Sequence, residues 1–518
     1  MEHKILKRKG KNTQPESSFR REHKGLLRRI SAFVIAAAVM TTGMPMQQIA
    51  DNMPDLDIIS KISGLIPDAA MKAAAEGAVY RAEAKNVSIA SGQDLEAYVN
   101  GTLEDSGELV GYNEKDTLTI TLNESAYNLK NFVGIGTADH PFAGKITIVL
   151  ATESNPYGVF TGLTWENSSL FNYVTTDAVV TNQNSSDKDK PVYLKAGGTG
   201  TEPLFAKHVV KGEKTQTWNI VVDASAQYGG VIGDLGKDAK AKADIHVGYL
   251  NNADVVGGDT AGGICGTMQD NSALSLSVTG KIKDTKGAEK PSKSLGSVSA
   301  NKFAGGVIGQ MNTGAVLTIN EMPKITAART ITAADKSNGN AAGGLVGKAN
   351  GAKIAFANGV SYINSGTLNV TVTGAPSESG AGGVFGVYSA ATGADFNVDL
   401  SDYKFEKEIT VSANAGGGFA GRFELKGTDT ESSAAKITIY NETAKDANSD
   451  VDFKVKSNKG TVGGIIGKIL NVNGNLKNTF TIKNVKTELT LNGDNSQNGG
   501  GIVGDLGWYK ESKGRTYL

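Results

Sequence analysis

A chain of 518 residues with 65 glycines and only 11 prolines has room for several domains or one long repeat array, and the lack of a three-residue glycine period excludes collagen. The 53 basic and 53 acidic residues cancel, yet the first fifty residues carry a net +7 and leave the rest at −7. A mildly acidic body with no basic stripe argues against nucleic acid as a partner.

Basic residues from Lys4 to Arg29 precede the apolar run Ile30 to Met40, and small and polar residues follow. That order is the order of a secretory signal, with a cleavage zone near Gly43 to Ala50. The run is shorter than the ~20 residues of a comfortable bilayer span, so residues 1–50 are expected to be a cleaved signal; an uncleaved anchor and a core helix are the alternatives. Either export reading makes the protein extracellular or surface-bound and restricts membrane contact to this segment. Residues 51–85, with Ile58, Ile59, Ile62, Leu65 and Ile66 at helical spacing, read equally as a short helix or a disordered stem.

The pattern changes at NVSIASGQDLEAYVN, Asn86 to Asn100. It predicts a brief strand, Ser91 as helix N-cap, and a helix with Leu95, Tyr98 and Val99 on one side. Beyond it, helical periodicity gives way to period-two alternation. Strands are expected at Thr117 to Leu122, Lys145 to Leu150, Leu274 to Val278, Val316 to Asn320, Thr367 to Val372, Lys436 to Tyr440 and Thr479 to Val485.

From residue 229 a five-residue element, Gly-Gly-apolar-apolar-Gly, appears eight times. Its copies start at Gly229, Gly262, Gly305, Gly343, Gly382, Gly417, Gly463 and Gly500, with steps of 33, 43, 38, 39, 35, 46 and 37 residues. Recurrence on one length scale marks a repeat architecture. A propeller repeats at a similar length, but its blades need tight hairpins, and Asn-Gly and Asp-Gly signals are few. Stacked coils fit better, with the element as a recurring corner. The corner glycines would be Gly230, Gly233, Gly263, Gly266, Gly306, Gly309, Gly344, Gly347, Gly383, Gly386, Gly418, Gly421, Gly464, Gly467, Gly501 and Gly504. They would allow positive φ and close backbone approach between coils ~4.8 Å apart. The two apolar residues would form ladders, one filling the interior and the other covered by a loop or a second layer.

One copy, AGGLVGKANG (Ala342 to Gly351), invites a phosphate-loop reading. The pattern needs glycine where Ala342 stands and a hydroxyl where Ala349 stands, so that reading fails. Cys265, the single cysteine, cannot form an internal disulfide and sits in an apolar run, as a small buried hydrophobe does. The histidines His3, His23, His140, His208 and His246 begin no HExxH motif. Asp446, Asn448 and Asp450 alternate as in a calcium loop, but Val451 and Ser457 replace its glycine and bidentate glutamate, which favours a solvated turn. Trp165, Trp218 and Trp508 are isolated, and packing is the expected role of each. No metal or other cofactor is indicated.

The repeated AGGLVG element in an exported, Gly- and Thr-rich chain resembles the GLUG motif of bacterial surface proteins. NFVGIGTADHPFAGKITI (Asn131 to Ile148) is similar to the segment that precedes such repeats, and SLFNYV (Ser169 to Val174) and EPLFAKHV (Glu202 to Val209) look like divergent coils. The resemblance implies an all-β chain forming a right-handed parallel β-helix with a short N-terminal capping helix. Cap and divergent coils would occupy 86–225, the array 226–508, with 509–518 unassigned. It further implies a non-enzymatic adhesin or stalk whose partners are host or cell-wall glycans or matrix proteins. The alternatives are the non-catalytic array of a larger surface enzyme, as in IgA1-specific metallopeptidases, and a β-helix polysaccharide lyase or hydrolase.

Overall fold

The computed structural model describes residues 83–507, except 106–107, 122–126, 129–131, 150–162, 165–168, 176–177, 183–191, 197–202, 209–214, 225–228, 237–240, 252, 284–287, 427–429, 443–451, 473–476 and 492–497. The chain divides into two units, Met1–Ala78 and Val79–Leu518, and every described residue belongs to the second. The signal run, nearly all of the 51–85 stem and residues 509–518 therefore lie outside the described residues. Among those described, no helix is long and apolar enough to cross a membrane.

Alternating sequence becomes strand. Thr117–Thr121, Lys145–Val149, Ala273–Val278, Val316–Glu321, Leu368–Val372, Lys436–Tyr440 and Thr479–Lys483 are all extended. Their apolar positions, among them Leu118, Ile146, Leu276, Ile319, Val370 and Ile437, are buried in one continuous core. β-Branched and aromatic side chains at every second position suit a pleated surface with one wet face.

Almost all pairing is parallel, and it joins each strand to the strand one repeat later. A first sheet runs through ten strands, from Phe171–Val174 and Phe205–His208 through Cys265–Met268, Val346–Asn350 and Ala420–Leu425 to Val503–Gly507. A second sheet takes Val192–Ala196, Gln216–Ala224, Lys242–Tyr249, Ala273–Val278, Val316–Glu321 and Lys353–Phe356. A separate three-stranded sheet of Asp395–Asp399, Lys436–Tyr440 and Thr479–Lys483 holds the same place in later repeats. The third sheet contains Leu295–Ala300, Arg329–Ala333, Leu368–Val372, Ile409–Gly417 and Phe453–Gly463. The chain visits first, second and third sheets in turn and then returns to the first. Parallel neighbours need a long crossover, and here the rest of the repeat supplies it.

In the third sheet, two short strands, Ala341–Gly343 and Gly380–Gly382, are separated from their predecessors by residues 334–340 and 373–379. In Ile409–Gly417 and Phe453–Gly463 the chain runs straight through. These excursions, and a hairpin of Lys281–Lys283 with Glu289–Pro291, account for part of the uneven repeat length.

The helix falls at Gly92–Val99, with Leu95, Tyr98 and Val99 buried. Ser91 is its N-cap, the hydroxyl accepting from the Asp94 N–H at 3.0 Å, while the Asp94 carboxylate accepts from the Ala90 N–H at 3.1 Å. The first bond satisfies one of the free donors at the helix start, and the second ties the first turn to the residue before the cap. Tyr98 then donates to the Asp116 carboxylate at 2.9 Å, tying the helix to the turn before Thr117–Thr121.

Candidate functional site

The recurring Gly-Gly-apolar-apolar-Gly element is the join between the third sheet and the first. In the seven copies from Gly262 onward its first glycine ends a third-sheet strand, its second glycine and first apolar residue make the bend, and its second apolar residue opens a first-sheet strand. At the bend, two successive N–H groups donate to a single carbonyl of the next coil. Ile264 and Cys265 share the Val307 carbonyl (2.9 and 3.1 Å), and Val307 and Ile308 share that of Leu345 (2.9 and 3.0 Å). The pattern continues with Leu345 and Val346 on Val384, then with Val384 and Phe385 on Phe419. A shared acceptor breaks strand alternation as a bulge does. Both apolar residues can then face inward, contrary to the expectation that one ladder would need a separate cover. Val231, Ile264, Val307, Leu345, Val384, Phe419 and Ile465 are buried, and so are Ile232, Cys265, Ile308, Val346, Phe385, Ala420 and Ile466.

Each glycine of the element has its own steric reason. At the second position, a Cβ on Gly263, Gly306, Gly344, Gly383, Gly418 or Gly464 would lie inside 3.0 Å of the carbonyl oxygen of its own counterpart one coil later. At the fifth position, a Cβ on Gly266, Gly309, Gly347, Gly386, Gly467 or Gly504 would lie inside 3.0 Å of the counterpart's carbonyl one coil earlier; on Gly233 it would meet the Ala206 carbonyl and on Gly421 the backbone of Ala381. Space, rather than backbone conformation, sets the requirement: of these corner glycines only Gly230 has a positive φ, at 92°. Gly501 has no atom within 4 Å of a Cβ position, since no described coil lies beyond it.

Sequence reasoning passed over the first glycine. At Gly262, Gly305, Gly343, Gly382, Gly417, Gly463 and Gly500 a Cβ would collide with the carbonyl of the residue three places on. Its presence in all eight copies was the signal. Also missed was how the second-glycine carbonyls are satisfied. Arg329 donates to Gly306 O at 2.9 Å, Tyr362 donates to Gly344 O at 2.9 Å, and the Thr487 hydroxyl donates to Gly501 O. Arg329 is 1% exposed, and nothing in its local sequence marks it as interior.

The remaining candidates are dispersed. Lys348, the would-be phosphate lysine, lies on a first-sheet strand with its ammonium 4.8 Å from the Phe303 ring centre, a cation–π contact. Burial holds it below the ordinary lysine value. Cys265 is buried and free, its thiol 3.4 Å from the Thr267 carbonyl, and burial followed by the nearby Asp234 pushes its pKa up. A thiol so placed is a weak nucleophile. His140 pairs with Glu114 between two loops, and His246 pairs with Asp244 on a second-sheet strand, each at 3.2 Å. Trp218 is buried with its ring 5.8 Å from that of Phe171. Trp165, Trp508 and the calcium-like residues Asp446, Asn448 and Asp450 lie outside the described residues. Asp452 accepts from the Lys486 N–H at 2.7 Å and from Asn441, so it links neighbouring coils. Among the described residues no three metal-ligating side chains come together. No family model, no curated protein and no solved structure matches this chain.

Proposed function

We propose that the chain is an exported bacterial surface protein of the GLUG-repeat kind, coiled as a right-handed parallel β-helix, and that it works without catalysis as an adhesin or stalk. The observation that carries this reading is the doubled glycine clamp, in which the second and fifth glycines admit the backbones of the following and preceding coils. A core closed in this way leaves only loops and outer sheet faces free to vary, and binding surfaces gather on such loops. Rigidity comes from the core, and recognition from what it displays. The N-terminal basic-then-apolar order supports export. The partners that suit this reading are host or cell-wall glycans and matrix proteins.

Two measurements test it. N-terminal sequencing of the mature protein should begin within or just after Gly43 to Ala50, and antibodies against the described unit should label intact cells. The purified protein should be retained on immobilised glycans or matrix proteins. Exclusively intracellular protein with an intact N-terminus would overturn export, and retention on neither surface would overturn the adhesin role.

A further inference from the structure

The outer face of the second sheet carries a groove of about 260 Å³ under the Lys281–Pro291 hairpin, lined by Asn219, Val221, His246, Ser277, Lys281, Ile282 and Glu321 among others. Its base is a row of polar residues from four successive coils, because Asn219 pairs in register with His246 and His246 with Ser277. Glu321 joins the row through a register shift that sets it, in place of Asn320, opposite Ser277. A bulge that re-aims a side chain is a device found beside binding sites.

One end is apolar. Val221 and Ile282 form a small buried cluster, separate from the main core, with Leu250 packed against it. Gly248 makes this contact feasible, since a Cβ there would collide with the Ile282 side chain. The hairpin is held at its base, where the Gly280 N–H donates to Glu321 Oε1 at 3.2 Å and the Thr279 hydroxyl donates to the Lys281 carbonyl at 2.8 Å.

The basic groups at the groove are already matched. Lys281 pairs with Glu289 at 2.8 Å, His246 with Asp244 at 3.2 Å, and Glu321 accepts a backbone N–H. A free anion would find no unopposed cation there, whereas the Glu321 carboxylate, met by a backbone N–H alone among the described residues, keeps its charge to accept from hydroxyl donors. Hydrogen-bonding capacity remains, since the Ser277 hydroxyl, Glu321 Oε2 and the second ring nitrogen of His246 have no protein partner among the described residues. A hydroxyl, a carboxylate oxygen and a ring nitrogen side by side, in a space below the 300–1,000 Å³ of sites for drug-sized ligands, suit one small ring bearing several hydroxyls.

We infer that this groove binds a single neutral sugar ring, with its hydroxyls on Ser277, Glu321 and His246. The inference does not depend on export, so a free-sugar titration and a localisation experiment can fail separately. The purified full chain is titrated with glucose, galactose and N-acetylglucosamine, with inorganic phosphate as the anionic control, while the His246 ring signal is followed by NMR. At least one sugar should shift that signal and phosphate should not. Glu321→Gln keeps an acceptor for Gly280 but loses the charge-assisted bond, and should weaken binding about tenfold. Ser277→Val should weaken it about fivefold, and Asn369→Ala, on the third sheet, should leave it unchanged. Failure of every sugar to shift the wild-type signal, a shift caused by phosphate, or undiminished affinity in both groove variants at unchanged melting temperature would overturn the assignment.

Discussion

Arg329 and Tyr362 act in series on two corner carbonyls. The guanidinium Nη1 of Arg329 donates to the Tyr362 hydroxyl at 3.3 Å, and that hydroxyl donates to Gly344 O at 2.9 Å, while Nη2 reaches Gly306 O and Nε reaches Gly296 O. In register, Arg329 stands beside Leu368, then Ile409 and Val455, so a cation occupies a place that later coils fill with hydrocarbon. Its value is to satisfy carbonyls that the shared-acceptor bend leaves over.

Removing this network should be expensive. Arg329→Ala leaves a cavity and three buried acceptors short of a donor, and is expected to cost about 3–5 kcal/mol. Tyr362→Phe should cost about 1–3 kcal/mol. Because the two side chains touch, a double-mutant cycle in urea should show a coupling of about 0.5–3 kcal/mol. Strict additivity would show that they act independently.

The corner glycines provide a matched pair. Gly344→Ala places a methyl against the Gly383 carbonyl and should destabilise by about 3 kcal/mol, as overpacking does. Gly501→Ala occupies the same motif position with nothing in its way and should stay within about 0.5 kcal/mol of the parent. Urea midpoints distinguish the two, and equal effects would remove the stacking explanation.

Lys348 gives a pH dependence of definite sign. Burial lowers its pKa against the opposing pull of the Glu424 carboxylate, so the native chain binds fewer protons than the unfolded chain between that lowered value and the ordinary lysine value. Stability from this group therefore rises with pH across the window. Comparing urea midpoints at about pH 7 and about pH 10, the wild type should gain on Lys348→Met as pH increases. A constant gap between the two proteins would contradict this.

At the N-terminal helix, Ser91→Ala removes the acceptor for the Asp94 N–H and should cost about 0.5–2 kcal/mol. Tyr98→Phe removes the hydroxyl that donates to Asp116 Oδ2, while the Lys85 N–H stays on Oδ1, and should cost about 1–3 kcal/mol. Amide exchange should quicken around Gly92–Val99 and the first strands before it changes in the central coils.

Sequence pattern reached far into this fold because parallel pairing from one repeat to the next imposes the same demand on each of them. Residues that meet their own counterparts must be small, and those facing the core must alternate, so both show as periodicity. Leu170 and Leu204 bond into the neighbouring repeats at the corner, and Phe171 and Phe205 stand in register with Ile232, so Ser169 to Val174 and Glu202 to Val209 both contribute to the first sheet. What stayed hidden occurs once. Arg329 looks like an ordinary surface residue in the sequence, and only its burial in the core shows otherwise. The sharing of one carbonyl by two N–H groups has no side-chain signature, so both apolar ladders could not be foreseen in the interior. The groove row is drawn from residues far apart in the chain, and Glu321 enters it only through a register shift. No local motif announces such a set.

The third sheet shows how such a chain can diversify. Ile409–Gly417 crosses without interruption the stretch where its neighbour detours through residues 373–379, yet both enter the same bend with their backbones paired. The detour is therefore an appendix to the repeat rather than a part of its strand pairing. Segments of new length and composition can be exchanged there between generations without renegotiating the interior, and related molecules should differ most at these detours.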